Sequence, residues 1–153
     1  MRQTAFTLVL AAALLLTGCG RQDGASAPSF AGVNITGAEY ARELKLPDAE
    51  GRMRSLADFK GKVLVVFFGY TQCPDVCPTT MAELAAVKQQ LGADGKRVQG
   101  IFVSVDPERD TAELLKAYVA NFDADFVALS GTPEQVKLAA KELDFITAAQ
   151  LRD

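Results

Sequence analysis

The feature that most constrains this chain is the run VLVVFFGY from Val63 to Tyr70, entered from the turn signal Lys60-Gly61-Lys62. A β-branched and aromatic run with no polar alternation cannot leave one face in water, so it predicts a central strand covered on both sides. A second buried strand is expected from Val98 to Val105. Between the two, Met81, Leu84, Ala85, Val87 and Leu91 recur at helical spacing after Pro78 and stop at Gly92. Asp110 is expected to cap a second helix, with Glu113 three residues on and Leu114, Leu115, Tyr118 and Phe122 along one face. A short strand from Phe126 to Leu129 precedes a third helix, opened by the cap and first-position proline of Thr132-Pro133-Glu134-Gln135. Strands alternating with helices predict an α/β fold whose central sheet is parallel, with helices on both faces. Sites in such sheets form at the carboxyl ends of strands, which singles out the loop after Tyr70.

That loop reads Tyr70-Thr71-Gln72-Cys73-Pro74-Asp75-Val76-Cys77-Pro78-Thr79-Thr80. A proline follows each cysteine and pushes it out of the helical region, so neither Cys73 nor Cys77 is expected inside a regular helix. Pro78 fits the first helical position, with Cys77 at or beside the N-cap. There the helix dipole and free N–H groups favour a thiolate, which predicts a lowered pKa for Cys77. Cys73, on the strand side of the same loop, is close enough for either a disulfide or a shared soft metal ion. A purely structural bridge gains little by closing so short a loop. Zinc needs four ligands, and the chain has three Cys and no His, so copper(I), which accepts two thiolates, suits the pair better. Thioredoxin-like redox motifs place two residues between their cysteines; here there are three.

The chain's 153 residues are enough for one domain with its own core. A net charge of -3 provides no basic field for a phosphate backbone, so no nucleic-acid partner is expected. The absence of His excludes imidazole chemistry in the chain as written. Residues 1–18 read as a signal peptide, with Arg2 ahead of an apolar stretch and small residues at its end. Leu16-Thr17-Gly18-Cys19 resembles a bacterial lipobox, which implies a lipid on Cys19, a flexible tether over 19–29 and a domain over 30–153. The domain is then expected to be membrane-anchored on the periplasmic or other extracytoplasmic side of a bacterial envelope. Such an oxidising compartment lets the other two thiols cycle between dithiol and disulfide.

FFGYTQCPDVCPTT from Phe67 and FVSVDPERDT from Phe102 resemble the SCO/SenC family, copper-handling proteins of cytochrome c oxidase assembly. LADFKGK from Leu56 and LSGTPEQV from Leu129 are lesser echoes, and the resemblance spans roughly residues 32–143. It implies a thioredoxin-like fold and copper on Cys73 and Cys77. It also implies a client, the copper-centre subunit of the oxidase, which receives copper or has its cysteines reduced. Asp106, Arg109 and Asp110 fall in the second motif. Read from the residues alone, Asp106-Pro107 makes a turn, Arg109 pairs with a nearby acid and Asp110 caps the helix. The other role open to Asp106 and Asp110 is to orient the metal ligands from behind. Asp75 is expected to shape the loop, being too hard a ligand for copper(I).

The family completes its copper site with a His in a later strand pair. This chain has no His, and DFITAAQLRD from Asp144 departs from the family pattern. The strand pair is therefore expected to be missing, which leaves copper(II) without its best ligand and a sheet edge uncovered. Three functions are compatible with these residues: a copper metallochaperone, a thiol-disulfide reductase acting through the Cys73 and Cys77 dithiol, or a truncated product without function.

Overall fold

A computed structural model describes Gly37 and residues 43–142. The chain divides into residues 1–36 and 37–153, and every described element belongs to the second unit. The signal peptide, Cys19, the tether and the segment after the third helix, where a closing strand pair is expected to be missing, all fall outside the described residues.

The described chain opens with an antiparallel hairpin of β1 (Lys45–Pro47) and β2 (Met53–Ser55), followed by a 3₁₀ turn over Leu56–Phe59. Next come β3 (Val63–Gly69), α1 (Val76–Gln90), β4 (Val98–Ser104), α2 (Ala112–Ala120), β5 (Val127–Leu129) and α3 (Pro133–Glu142). The strands β3, β4 and β5 form one parallel sheet in that order. The hairpin docks on its far side, where Asp48 bridges to Leu129 and the Ser130 N–H donates to the Pro47 carbonyl.

The α/β alternation is as expected, but the position of one strand is not. Among the described residues β4, not β3, is central, with every position from Gln99 to Ser104 buried. No described strand pairs with the outer edge of β3, whose Val63 and Val65 are 59% and 37% exposed. Periodicity reports whether the faces of a strand are covered, never which strand lies beside it.

Alternation along β4 separates two cores. Ile101 and Val103 point to one face, with Leu44, Leu46, Phe59, Leu129 and, from α3, Val136 and Ala139. Phe102 points to the other, among Met81 and Ala85 of α1 and Leu115 and Val119 of α2. Helices thus cover both faces, which lets a central strand be buried on both sides. The start of α3 is the predicted capping box. The Thr132 N–H donates to Gln135 Oε1 (2.9 Å), and the Gln135 N–H donates back to Thr132 Oγ1 (3.3 Å). At the end of α1, Gly92 takes φ +55°, the left-handed conformation that ends a helix at little cost in glycine.

The buried face of α1 differs from the predicted one. Val87 and Leu91 are 49% and 46% exposed, whereas Cys77, Met81, Ala85 and Lys88 point inward. Lys88 is tolerated there because its ammonium donates to Asp123 (2.9 Å) and Asp125 (3.0 Å) and lies over the Phe126 ring. The parallel register pairs Gly69 with Ser104, so the segments after β3 and β4 leave the sheet side by side. The site is built from those two segments.

Candidate metal centre

The loop after β3 turns at once, with the Cys73 N–H donating to the Tyr70 carbonyl (3.2 Å), and feeds into α1 with Asp75 at the N-cap. Cys77 is thus the second residue of the helix and Pro78 the third, each one or two positions further in than predicted. The helix tolerates this because a proline in the first turn forfeits only an N–H that has no intrahelical partner. Asp75 makes no side-chain cap hydrogen bond.

The inward stripe of α1 carries Cys77 with it, two turns ahead of Ala85 and one ahead of Met81, and leaves the residue 3% exposed. Cys73 sits at the rim, half-buried. Its sulfur accepts the Cys77 N–H at 3.4 Å, so a free N–H of the helix start points at Cys73 instead of at Cys77. Burial, then the Cys73 sulfur, push the Cys77 thiol up to about 11 against the pull of the Tyr70 N–H, and the negative charges of Cys73 and Asp110 add to the rise. The Cys73 thiol is held below its ordinary value, first by a hydrogen bond from Cys77, then, against burial, by the N–H groups of Cys77 and Asp75 and the Tyr70 hydroxyl.

The prediction of a lowered pKa for Cys77 is therefore wrong, and Cys73 has it instead. A helix dipole is worth about 0.3–1 kcal/mol, less than one pKa unit, whereas burial of a thiolate can cost several units. The helix start does favour a thiolate here, but on the other sulfur.

Asp106 and Asp110 have separate roles. The Asp106 carbonyl accepts the N–H groups of Arg109 and Asp110 (3.1 and 3.0 Å), and its carboxylate pairs with the Arg109 guanidinium, which is the expected turn and ion pair. Asp110 is not the helix cap; Thr111 is, its hydroxyl accepting the Leu114 N–H at 3.3 Å. The Asp110 side chain turns inward, 3% exposed. It accepts hydrogen bonds from the Thr71 hydroxyl (2.6 Å), the Thr71 N–H (3.2 Å) and the Ser104 hydroxyl (2.6 Å). The two candidate caps are neighbours, and Thr111 prevails because the extended backbone at residue 111 aims its hydroxyl at the helix.

The sequence alone assigns no role at the site to Thr71, Ser104 or Tyr118. Thr71 and Ser104 lie inside the two motifs, so their hydroxyls are in view there without a partner to assign. Tyr118 packs at a tilt against Phe102 and edge-on against Phe122, with centroids 5.2 Å away in each case, and its buried hydroxyl has no partner among the described residues. Burial, then the charges of Cys77, Cys73 and Asp110, push that hydroxyl up to about 12.

Among the described residues no cluster of three or more His, Cys, Asp or Glu side chains could hold a metal. Among the described residues Cys73 and Cys77 are therefore two soft donors without a third His, Cys, Asp or Glu in a cluster with them. Two cysteine sulfurs are a donor pair suited to a soft metal ion.

A family model described as SCO1/SenC matches residues 33–152, beyond the point near residue 143 at which the motifs give out. The chain is 40% identical over 100 residues to the mitochondrial Protein SCO2 homolog of Homo sapiens, covering 64% of this chain and 38% of that protein. It spans less than half the length of the mammalian relatives it matches. Among solved structures it is similar to Bradyrhizobium japonicum ScoI with copper bound, with a TM-score of 0.61 and 40% identity over 67% of this chain and 65% of that one. It is also similar to BsSco, described by its disulfide switch and as a member of the Sco family of cytochrome c oxidase assembly proteins, with a TM-score of 0.56 and 27% identity over 67% and 62%. The fold is the thioredoxin-like α/β fold of these neighbours. With its cysteine loop at the carboxyl end of β3 and the family match over 33–152, the chain belongs to the SCO1/SenC family.

Proposed function

We propose that the chain is a copper metallochaperone that carries copper(I) on Cys73 and Cys77 to the copper-centre subunit of cytochrome c oxidase. The observation that carries this reading is the placement of the two cysteines together at the carboxyl end of β3, with the Cys77 N–H on Cys73 Sγ. Two thiolates hold copper(I) firmly, yet a ligand shell of two leaves the ion open to attack by a third sulfur. Passing the ion on requires that opening. Similarity to a copper-bound ScoI supports the choice of metal. The family description of BsSco supports the choice of client.

The proposal includes an address. Residues 1–18 direct export, Cys19 carries the lipid, and the domain works on the extracytoplasmic side of the envelope, where the client's copper centre is assembled. Mass spectrometry of the mature protein from its native membrane checks this, the expected result being an N-terminal diacylglyceryl-Cys19.

Titration of the full chain with copper(I) against a chromogenic chelator tests the chemistry. One equivalent is expected to be held, and the double variant Cys73→Ser, Cys77→Ser is expected to hold none. Binding that survives in the double variant overturns the assignment of the site.

A reductase reading is favoured by one specific observation, the unequal thiols: a half-buried Cys73 with a lowered pKa beside a buried Cys77 with a raised one. An accessible thiolate can attack a client disulfide, and a buried thiol can then resolve the mixed disulfide. Turnover of an oxidised client peptide by a copper-free chain, together with negligible copper(I) affinity, selects this reading.

A further inference from the structure

Among the described residues, the loop that carries Cys73 has few hydrogen-bonded ties to the rest of the fold. Within it, the Cys73 N–H reaches Tyr70 and the Cys77 N–H reaches Cys73 Sγ. Asp110 reaches it from outside, and no other side chain from outside the loop hydrogen-bonds to residues 70–75 among the described residues. One carboxylate thus joins three places: Thr71, two residues ahead of Cys73; Ser104, the last residue of the central strand; and the turn ahead of α2. Ser104 is itself fixed, since its hydroxyl also accepts the Asp106 N–H at 3.1 Å. All the donors to Asp110 are neutral, and no cation hydrogen-bonds to it among the described residues.

We propose that Asp110 is the positioning residue of the dithiol: through Thr71 it fixes the loop bearing Cys73 to Ser104 at the end of β4 and to the turn ahead of α2, and so sets how readily the Cys73 sulfur joins that of Cys77 and how tightly the two hold copper(I). The copper half rests on the function proposed above, whereas the sulfur half stands without it. Loosening the clamp adds conformational freedom that must be lost when the sulfurs are brought together, which disfavours the disulfide. Removing the buried negative charge favours the reduced form, which makes a disulfide a stronger oxidant. Both effects raise the reduction potential of the pair.

The test equilibrates the full chain with glutathione. One glutathione disulfide takes two electrons and two protons from the thiols of Cys73 and Cys77, leaving the Cys73–Cys77 disulfide and two glutathione thiols. Asp110→Asn is expected to shift this equilibrium at least tenfold toward the dithiol, equivalent to about 30 mV. Thr71→Val, which removes the hydroxyl donor and keeps the charge, is expected to shift it the same way by a smaller factor, and Thr71→Ser is expected to restore it. Copper(I) affinity, measured by chelator competition on the same variants, is expected to fall about 10- to 100-fold in Asp110→Asn, the usual cost of losing a group that orients a ligand. A residue that merely stabilises the fold lowers the melting temperature of oxidised and reduced forms alike and leaves the potential where it was. That result, in Asp110→Asn or, should it not fold, in Thr71→Val, overturns the proposal. Absence of copper(I) binding in the unsubstituted chain sinks the copper chaperone reading, while the potentials still decide the role of Asp110.

Discussion

Asp48 and Asp110 are both buried, at 7% and 3% exposure, and they are held in opposite ways. Asp48, after β1, accepts the N–H groups of Glu50 (3.0 Å) and Arg52 (2.9 Å) and is paired with the guanidinium groups of Arg52 and Arg54. Its charge is cancelled where it arises, and it ties the hairpin together. Asp110 accepts hydrogen bonds only from neutral hydroxyl and amide donors among the described residues, and its charge is felt at Cys77 and Tyr118 as well as at the neighbouring Arg109. A carboxylate matched by cations serves mainly as a fastening. One matched by neutral donors keeps its field, and that field is useful only beside something whose charge changes.

The largest expected effect is chemical. Limiting iodoacetamide near neutral pH should label Cys73 at least about tenfold faster than Cys77, since the thiolate is the reactive form and Cys77 is also buried. Peptide mapping reads the ratio. Asp110→Asn should narrow it and Asp48→Asn should leave it unchanged; an equal response to both substitutions breaks the contrast between the two aspartates.

The next effect is on stability. Asp48→Ala strands Arg54, 27% exposed, and the N–H groups of Glu50 and Arg52, and should lower the unfolding free energy by about 2 kcal/mol with no change in dithiol potential. Burial pushes the Asp48 carboxyl up, but the Arg52 N–H, the Arg52 guanidinium and the Glu50 N–H outweigh it and hold it below the usual carboxylate range. A carboxyl depressed by folding stabilises fully above its unfolded value, near pH 4, and loses that contribution as pH falls through its folded value. Urea midpoints measured from pH 6 down to pH 3 should therefore fall less steeply for Asp48→Ala than for the unsubstituted chain.

The smallest effect separates two adjacent residues. Thr111→Ala removes the α2 cap and should cost about 1 kcal/mol, leaving the potential of the pair in place, whereas its neighbour Asp110 moves the potential. A shifted potential in Thr111→Ala places the control of the dithiol in the helix start instead of in the carboxylate.

Much of this is legible in the residues, unevenly. The α3 start can be read in full because Thr132, Pro133 and Gln135 act within one turn of each other. The inward position of Cys77 is also legible in principle, since it lies four and eight residues ahead of Met81 and Ala85, but the two prolines speak more loudly for a broken backbone than for the stripe. The hairpin is not legible. Its strands are three residues each, include Pro47 and Arg54, and owe their pairing to contacts made far along the chain. Nor is the Asp110 clamp, because nothing in local spacing says that a side chain after β4 will meet one after β3; the sheet register does that.

The docking of the hairpin has a consequence for how the chain is made. Leu44 and Leu46, wholly buried, lie at its start, yet their cover comes from Leu129 of β5 and from Val136 and Ala139 of α3, near the other end of the described chain. Synthesis delivers the hairpin well ahead of its cover. Two leucines stay open to water, to holding chaperones and to other nascent chains until the third helix arrives, and closing that long loop sets the pace of folding. Of the described elements, the first to emerge is the last to be finished.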